Sequence, residues 1–230
     1  MSNPRATILV IGQANAANHG PVRASGGPAV RAFHEGSFLP AHDPIPGASG
    51  GSGSVWTRFG AKAISSGLCK EVVFVNVAHG DTAVADWAPG GAFHFRLVTA
   101  LRKARDTGVE FTHVVWFQGE RDTLVRTAEA DYADRLGRVI AWLRTQGIDA
   151  PVFVCRTSRR GDRTSDSVRR AQDSVVDPRR NVFAGPDSDM LGPEMRTDGT
   201  QLNADGQEAF ADMLVEAFAA AAPAQARNAA

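Results

Sequence analysis

Four short segments of this sequence concentrate polar side chains in turn-rich surroundings. They are Gly12-Gln13-Ala14-Asn15, followed by His19 and Gly20; Ala78-His79-Gly80-Asp81-Thr82; Gln118-Gly119-Glu120-Arg121-Asp122; and Asp198-Gly199-Thr200-Gln201-Leu202-Asn203. Together they offer amides, carboxylates and imidazoles, the groups with which a protein orients a polar ligand. Taken singly, each has a plain structural explanation: glycine makes a turn, Asn or Asp caps a helix, and Gln and Glu face solvent. His19 and His79 are placed to line a cleft, although neither brings a nucleophile and a loop or cap role explains each equally simply. His34, His42, His94 and His113 carry a weaker signal still. No Cys or His spacing matches a zinc site, so no metal and no cofactor is expected. The Gly47–Gly53 run lacks the Lys and the strand-to-helix setting of a phosphate cradle, and reads as a surface loop leading into a helix that starts near Ser54.

The elements that would position these segments are legible from periodicity. Apolar, β-branched runs recur at Ala6–Ile11, Val72–Val77, His113–Phe117, Val152–Cys155 and Asn181–Ala184. Each is too short for a helix and is followed by a turn-rich loop, as for buried parallel strands. Between them lie stretches of helical period: Phe95, Val98, Leu101 and Arg105; Tyr132, Leu136, Val139, Ile140 and Leu143; and Phe210, Met213, Leu214, Ala217 and Phe218. Gly108 and Gly147 stand where helices should stop. Alternating strands and helices with right-handed crossovers predict a three-layer α/β/α sandwich on a parallel sheet of about five strands. Ligands of such sheets bind beyond the carboxyl ends of the strands, where three of the four polar segments emerge.

The chain has 230 residues with 25 Lys+Arg against 25 Asp+Glu, so its formal net charge is zero. That size suits one domain, expected over residues 1–220, with the Ala/Pro/Gln-rich residues 221–230 as a flexible tail. Zero net charge argues against a nucleic-acid partner, which demands a basic excess. The stretch from Arg156 to Arg180 holds eight Arg and four Asp with almost no interleaved aromatics, and reads as a charged helix with flanking loops. Cys69 and Cys155 read as buried, reduced thiols, which points to a reducing compartment. No secretion signal or membrane-spanning run is visible, so a cytoplasmic protein with no membrane partner is expected. Trp56, Trp87 and Trp116 are expected to pack on the sheet rather than to stack on a sugar.

In order and together, the polar segments resemble the SGNH hydrolases, and within them the sialate O-acetylesterase-like carbohydrate esterases. The likeness runs from about Ile8 to Phe218. It rests on Ile11-Gly12-Gln13-x-Asn15; Asn76-Val77-Ala78-x-Gly80-x-Thr82 with Ala85-Asp86-Trp87; Trp116-Phe117-Gln118-Gly119-Glu120-x-Asp122; and Asp198-Gly199-x-x-Leu202-Asn203. The resemblance implies a flavodoxin-like sheet and serine acyl transfer on an O-acyl, chiefly O-acetyl, ester of a sugar or glycan. It places the nucleophile at position 14, the base at position 201 and the orienting carboxylate at Asp198. It also implies oxyanion donors in the N–H groups of residue 14 and Gly80 and the side chain of Gln118. Gln13, Asn15, His79, Asp81 and Glu120 are then expected to contact the substrate.

The sequence departs from that pattern at two decisive places: position 14 is Ala where the family has Ser, and position 201 is Gln where it has His. A methyl group cannot attack a carbonyl, and a neutral amide is no base near pH 7. The expectation is therefore an esterase scaffold that is inactive or nearly so, whether by deliberate substitution or by natural loss. The alternative is a non-catalytic pseudoenzyme that binds a sugar or acyl ligand in the retained pocket.

Overall fold

In the computed structural model the backbone is described for residues 3–228 and the side chains for residues 5–221. The chain runs β1 (Asn3–Gly12), β2 (Val30–His34), β3 (Ser37–Pro40), α1 (Val55–Ser65), β4 (Cys69–Asn76), α2 (Val84–Trp87), α3 (His94–Asp106), β5 (His113–Phe117), α4 (Glu120–Val125), α5 (Glu129–Thr145), β6 (Val152–Arg156), α6 (Asp166–Ser174), β7 (Val182–Asp187) and α7 (Ala204–Asn228). The expected tail from residue 221 lies, beyond Ala221, outside the described side chains.

One seven-stranded sheet has the order β3-β2-β4-β1-β5-β6-β7, parallel throughout except for β3 against β2. All five expected strands are present, in a flavodoxin-like succession, and the α/β/α layering is as expected. The sheet is two strands wider, because β2 and β3 form an edge hairpin. Its turn, Glu35-Gly36, has both residues at positive φ (48° and 83°), the conformation of a tight two-residue hairpin. Glu stands where Asn or Asp would have announced the turn, so the sequence signal was weak.

The strands are apolar on both faces because both are covered. Along β1, Ile8 and Val10 pack with α1 and α7, whereas Leu9 and Ile11 pack with α2, α3, α5 and α6. The α5 stripe of Tyr132, Leu136, Val139, Ile140 and Leu143 is buried as its spacing predicts. In α3 the expected stripe is wrong by one position: Leu97, Leu101 and Ala104 face the sheet, while Phe95 and Val98 are 60% and 45% exposed. The contrast arises because Phe95 carries the greater hydrophobicity but Leu97 the right register.

Trp56, Trp87 and Trp116 are buried, each with its indole N–H bonded, so none presents a sugar-stacking face. Cys69 and Cys155 are free and buried. Three arginines of the Arg-rich stretch are met by carboxylates: Arg156 by Asp173, Arg169 by Asp187 and Asp189, and Arg170 by Glu129. Among the described residues no helix is long and apolar enough to cross a membrane.

Candidate functional site

Strand order reverses at β1, so the loop leaving β1 opens into the crevice between the β4 and β5 ends. Gly12 permits that exit: a Cβ there would lie 2.1 Å from the Phe117 carbonyl oxygen, so only glycine lets β1 and β5 stay this close at the crevice. The next residue, Gln13, donates its N–H to that same oxygen at 3.1 Å. A single 3-10 turn, Ala14–Ala16, follows and is held from the far side, where the Trp56 indole and the Asn76 amide both donate to the Ala16 carbonyl. Ala14 thus sits on a fixed turn at the mouth of the switch point. Its N–H has no acceptor among the described residues.

Beneath the turn lies a buried amide network. Gln118 Nε2 faces Thr82 O at 2.8 Å, Asp122 Oδ2 at 2.6 Å and Gln13 Oε1 at 3.2 Å. The Tyr132 hydroxyl donates to the Gln118 carbonyl, and Gln172 Nε2 reaches the same carbonyl. Gln13 Oε1 accepts from the Arg121 N–H at 3.0 Å. Gln13, Gln118 and Glu120 have no exposed surface. The Gln118 amide hydrogens, expected to serve an oxyanion, point to interior acceptors. Gln13 and Glu120, expected to contact the substrate, lie buried under the floor.

Asn15 joins this floor to the segment before α7. Its Nδ2 donates to Glu120 Oε1 at 2.8 Å and to the Thr200 carbonyl at 3.1 Å, and its Oδ1 accepts from the Leu202 N–H at 2.9 Å. The side chain next to position 14 thereby grips the backbone on either side of position 201. Asn15, expected to contact the substrate, is a clamp between the two segments. Asp198 Oδ1 accepts from the N–H groups of Thr200 (2.9 Å) and Gln201 (2.7 Å), so the carboxylate shapes the loop that carries position 201. Positions 14, 198 and 201, which are 187 residues apart at the extremes, are thus brought to one crevice by the sheet and one asparagine.

On the opposite wall, the loop after β4 presents His79, Gly80 and Asp81. The His79 ring lies against Phe93, with centroids 4.5 Å apart, and its Nδ1 is 3.0 Å from the Gly80 carbonyl oxygen. Asp81, exposed and at a φ of 60°, pairs with Arg121 at 3.3 Å. The Gly80 N–H is already engaged: it donates to Ser49 Oγ at 2.7 Å, and His19 Nε2 lies 3.0 Å from the same oxygen.

Ser49 escaped the sequence reading because the Gly47–Gly53 run resembles a linker. In the fold the run is no mere surface excursion. Asn18 N–H donates to Ser49 O, Ser49 N–H donates to Ala78 O, and Arg96 reaches the carbonyls of Gly47 and Val77. Beside it lies an apolar hollow of about 160 Å³ walled by Phe33, Val75, Val77 and Phe95, with Arg96 and Lys103 at its rim. The one cue in the sequence was Ser54, which caps α1 as expected and so fixes where this loop must end.

Burial dominates the electrostatics of the floor. It pushes Glu120 up to about 7, against the opposing pull of the Asn15 hydrogen bond, and leaves Glu120 Oε2 without a partner. Asp122 is also raised by burial, although Thr127, Gln118 and the Val84 N–H all bond it. His19 is lowered, first by burial and then by the charge of His79, which keeps its ring neutral near pH 7.

Residues 4–220 match the family model described as carbohydrate esterase, sialic acid-specific acetylesterase. A probable carbohydrate esterase of Arabidopsis thaliana is 37% identical over 71 residues, a stretch that spans 30% of this chain and 27% of that protein. A solved Arabidopsis thaliana structure superposes with a TM-score of 0.75 at 23% identity, covering 94% of this chain and 99% of the other. A structure described as a novel carbohydrate acetylesterase from Xanthomonas citri aligns with a TM-score of 0.60 at 14% identity, over 92% of this chain and 55% of its own. These structural likenesses bear on the fold.

Proposed function

Because this chain belongs to the carbohydrate esterase family of sialic acid-specific acetylesterases, we propose that its cleft receives an O-acyl, chiefly O-acetyl, ester of a sugar or glycan. We further propose that the serine route through positions 14, 198 and 201 is closed in the chain as it stands. The observation that supports this reading is the Asn15 clamp: a turn at position 14 and a loop at position 201 are held against one another by one side chain.

In that arrangement, position 14 is where a hydroxyl would attack the ester carbonyl, and the free Ala14 N–H is the donor for the oxyanion that follows. Position 201 is where a base would take the hydroxyl's proton, and Asp198 is its orienter. Ala14 offers no oxygen and Gln201 no basic nitrogen, so the proton and the acyl group have nowhere to go by this route. His79 and Asp81 on the facing wall contact the ligand's polar groups, and the neighbouring hollow takes an apolar acyl or ring face. A single domain over residues 1–220 supplies all of these parts. Two buried thiols fit a cytoplasmic setting, and zero net charge with Arg156, Arg169 and Arg170 paired to carboxylates fits a ligand other than a nucleic acid.

Restoration tests the proposal. Hydrolysis of an O-acetyl sugar should be close to nil in the chain as it stands, weak in Ala14→Ser and strong in Ala14→Ser with Gln201→His. Fast turnover by the unaltered chain would overturn the closed route. A second reading, a pseudoenzyme that only binds, is favoured by the intact floor beneath two lost side chains. It predicts that calorimetry detects an O-acetyl sugar bound to the unaltered chain and that the doubly restored chain stays inert.

A further inference from the structure

The cleft has lost the hydroxyl at position 14, yet another hydroxyl meets an imidazole beside it. Ser49 Oγ lies 3.0 Å from His19 Nε2 and 2.7 Å from the Gly80 nitrogen, which donates to it. The Gly80 N–H occupies a lone pair of Oγ, and with His19 neutral and protonated at Nδ1 the hydroxyl hydrogen goes to Nε2. That is the resting arrangement of a nucleophile and its base. The loop is anchored on both sides of the hydroxyl, since Ser49 N–H donates to Ala78 O at 3.0 Å and Ser49 O accepts from Asn18 N–H at 2.9 Å.

We infer that Ser49 is an acyl-accepting nucleophile with His19 as its base. This rests on the reading that the cleft receives an acyl ester. Ser49 Oγ bonds to the carbonyl carbon as its proton passes to His19 Nε2. The carbon–oxygen bond to the alcohol then breaks, and the departing oxygen takes the proton from His19. The acyl group stays on Ser49 until water, deprotonated by His19, displaces it and restores the hydroxyl. The Gly80 N–H stabilises the charge that gathers on Oγ as its proton leaves. Burial and the nearby His79 hold His19 neutral near pH 7, the form that accepts a proton. Ser49 is half-buried and His19 exposed, so an ester can reach both. Among the described residues no carboxylate bonds to His19, so release of the acyl group should be slow and the first turnover should stand apart from the rest.

The experiment is a rapid mix of the full chain with p-nitrophenyl acetate, followed by mass mapping of the peptides. The expected result is a burst of nitrophenol and the mass of one acetyl group on the peptide carrying Ser49. Ser49→Ala should abolish the burst with an unchanged melting temperature, and His19→Gln should slow it on the order of a hundredfold. Ser49→Cys should be alkylated by iodoacetamide ahead of Cys69 and Cys155, both of which are buried. Acetyl on another residue, or none, overturns the inference; so does a burst that survives Ser49→Ala. Calorimetry with an O-acetyl sugar on Ser49→Ala separates this outcome from the reading beneath it. Binding without acetylation of the parent chain leaves the cleft as proposed and removes Ser49 as nucleophile, whereas acetylation of Ser49 without sugar binding removes the proposed ligand.

Discussion

On the floor of the cleft, Gln13, Asn15, Gln118, Glu120, Asp122, Tyr132 and Gln172 are buried and bonded to one another or to buried backbone. On the rim, His79 is half-buried, Asp81 and Asp198 are exposed, and Gln201 is held through its backbone N–H, which donates to Asp198 Oδ1. The two regions answer to different penalties. A floor residue that loses its partner strands a polar atom in a dry interior, which costs about 1–3 kcal/mol for each atom. A rim residue strands nothing. Replacing a catalytic Ser by Ala or a His by Gln at the rim therefore removes chemistry at almost no structural expense, whereas the floor resists change whether or not the protein turns over a substrate. Gln118, bonded on all sides, belongs to the resistant floor, whereas Asp198 stands with the tolerant rim.

The contrast is sharpened first by restoring the rim. Ala14→Ser with Gln201→His should raise kcat/KM on an O-acetyl sugar by on the order of a thousandfold or more over either single change, because a nucleophile and its base act as one unit. Equal activity in the single and double variants would separate the two positions. Next comes damage to the floor. Asn15→Ala leaves Glu120 Oε1 and Leu202 N–H without their partner, while Thr200 O keeps Arg196, and should lower the unfolding free energy by about 4 kcal/mol, measured in urea. A loss below about 1 kcal/mol would show that the floor is not what holds the segment before α7.

Glu120 gives a smaller effect with a defined sign. Its carboxyl is raised from an ordinary 4.5 to about 7 in the folded protein, so the folded state binds the proton more tightly than the unfolded chain does. Stability is then greatest below about pH 4.5 as far as this group is concerned, and declines as pH rises through about 7, by up to about 3 kcal/mol. Glu120→Gln should flatten that slope in thermal melts across the same range; an unchanged slope would assign it elsewhere. The smallest change belongs to the rim. Arg121→Ala breaks an exposed pair with Asp81 and should alter stability by less than about 1 kcal/mol.

Much of this architecture could be read from the chain, and the exceptions have physical causes. Buried strands such as β1 and β5 announce themselves because both faces demand apolar residues, and the α5 stripe does so because one face of a helix must be covered. The Glu35-Gly36 hairpin was silent because its turn uses Glu at a position where Asn or Asp is the usual sign. The α3 face was misplaced because Phe95 and Val98 are exposed apolar residues. At the site, position 14 and Asp198 were singled out through their flanking motifs. The inward commitment of Gln118 and Glu120 was not, because an amide or carboxylate in a loop looks the same whether it faces water or the interior. Ser49 was hidden for the opposite reason: glycine and serine in a run carry no pattern, and only the bonds to Asn18 and Ala78 reveal that the loop is folded back.

The hairpin at the edge of the sheet has a bearing on how the protein behaves in a crowded solution. An open parallel sheet exposes a ladder of unpaired amides at its margin, a surface on which strands of other molecules can assemble. Here that margin is the four-residue β3, which is exposed at Ser37, Leu39 and Pro40 and ends in a residue with no N–H to offer. A short border ending in proline gives an incoming strand little to pair with. The two residues that make the turn thus protect the chain from self-association.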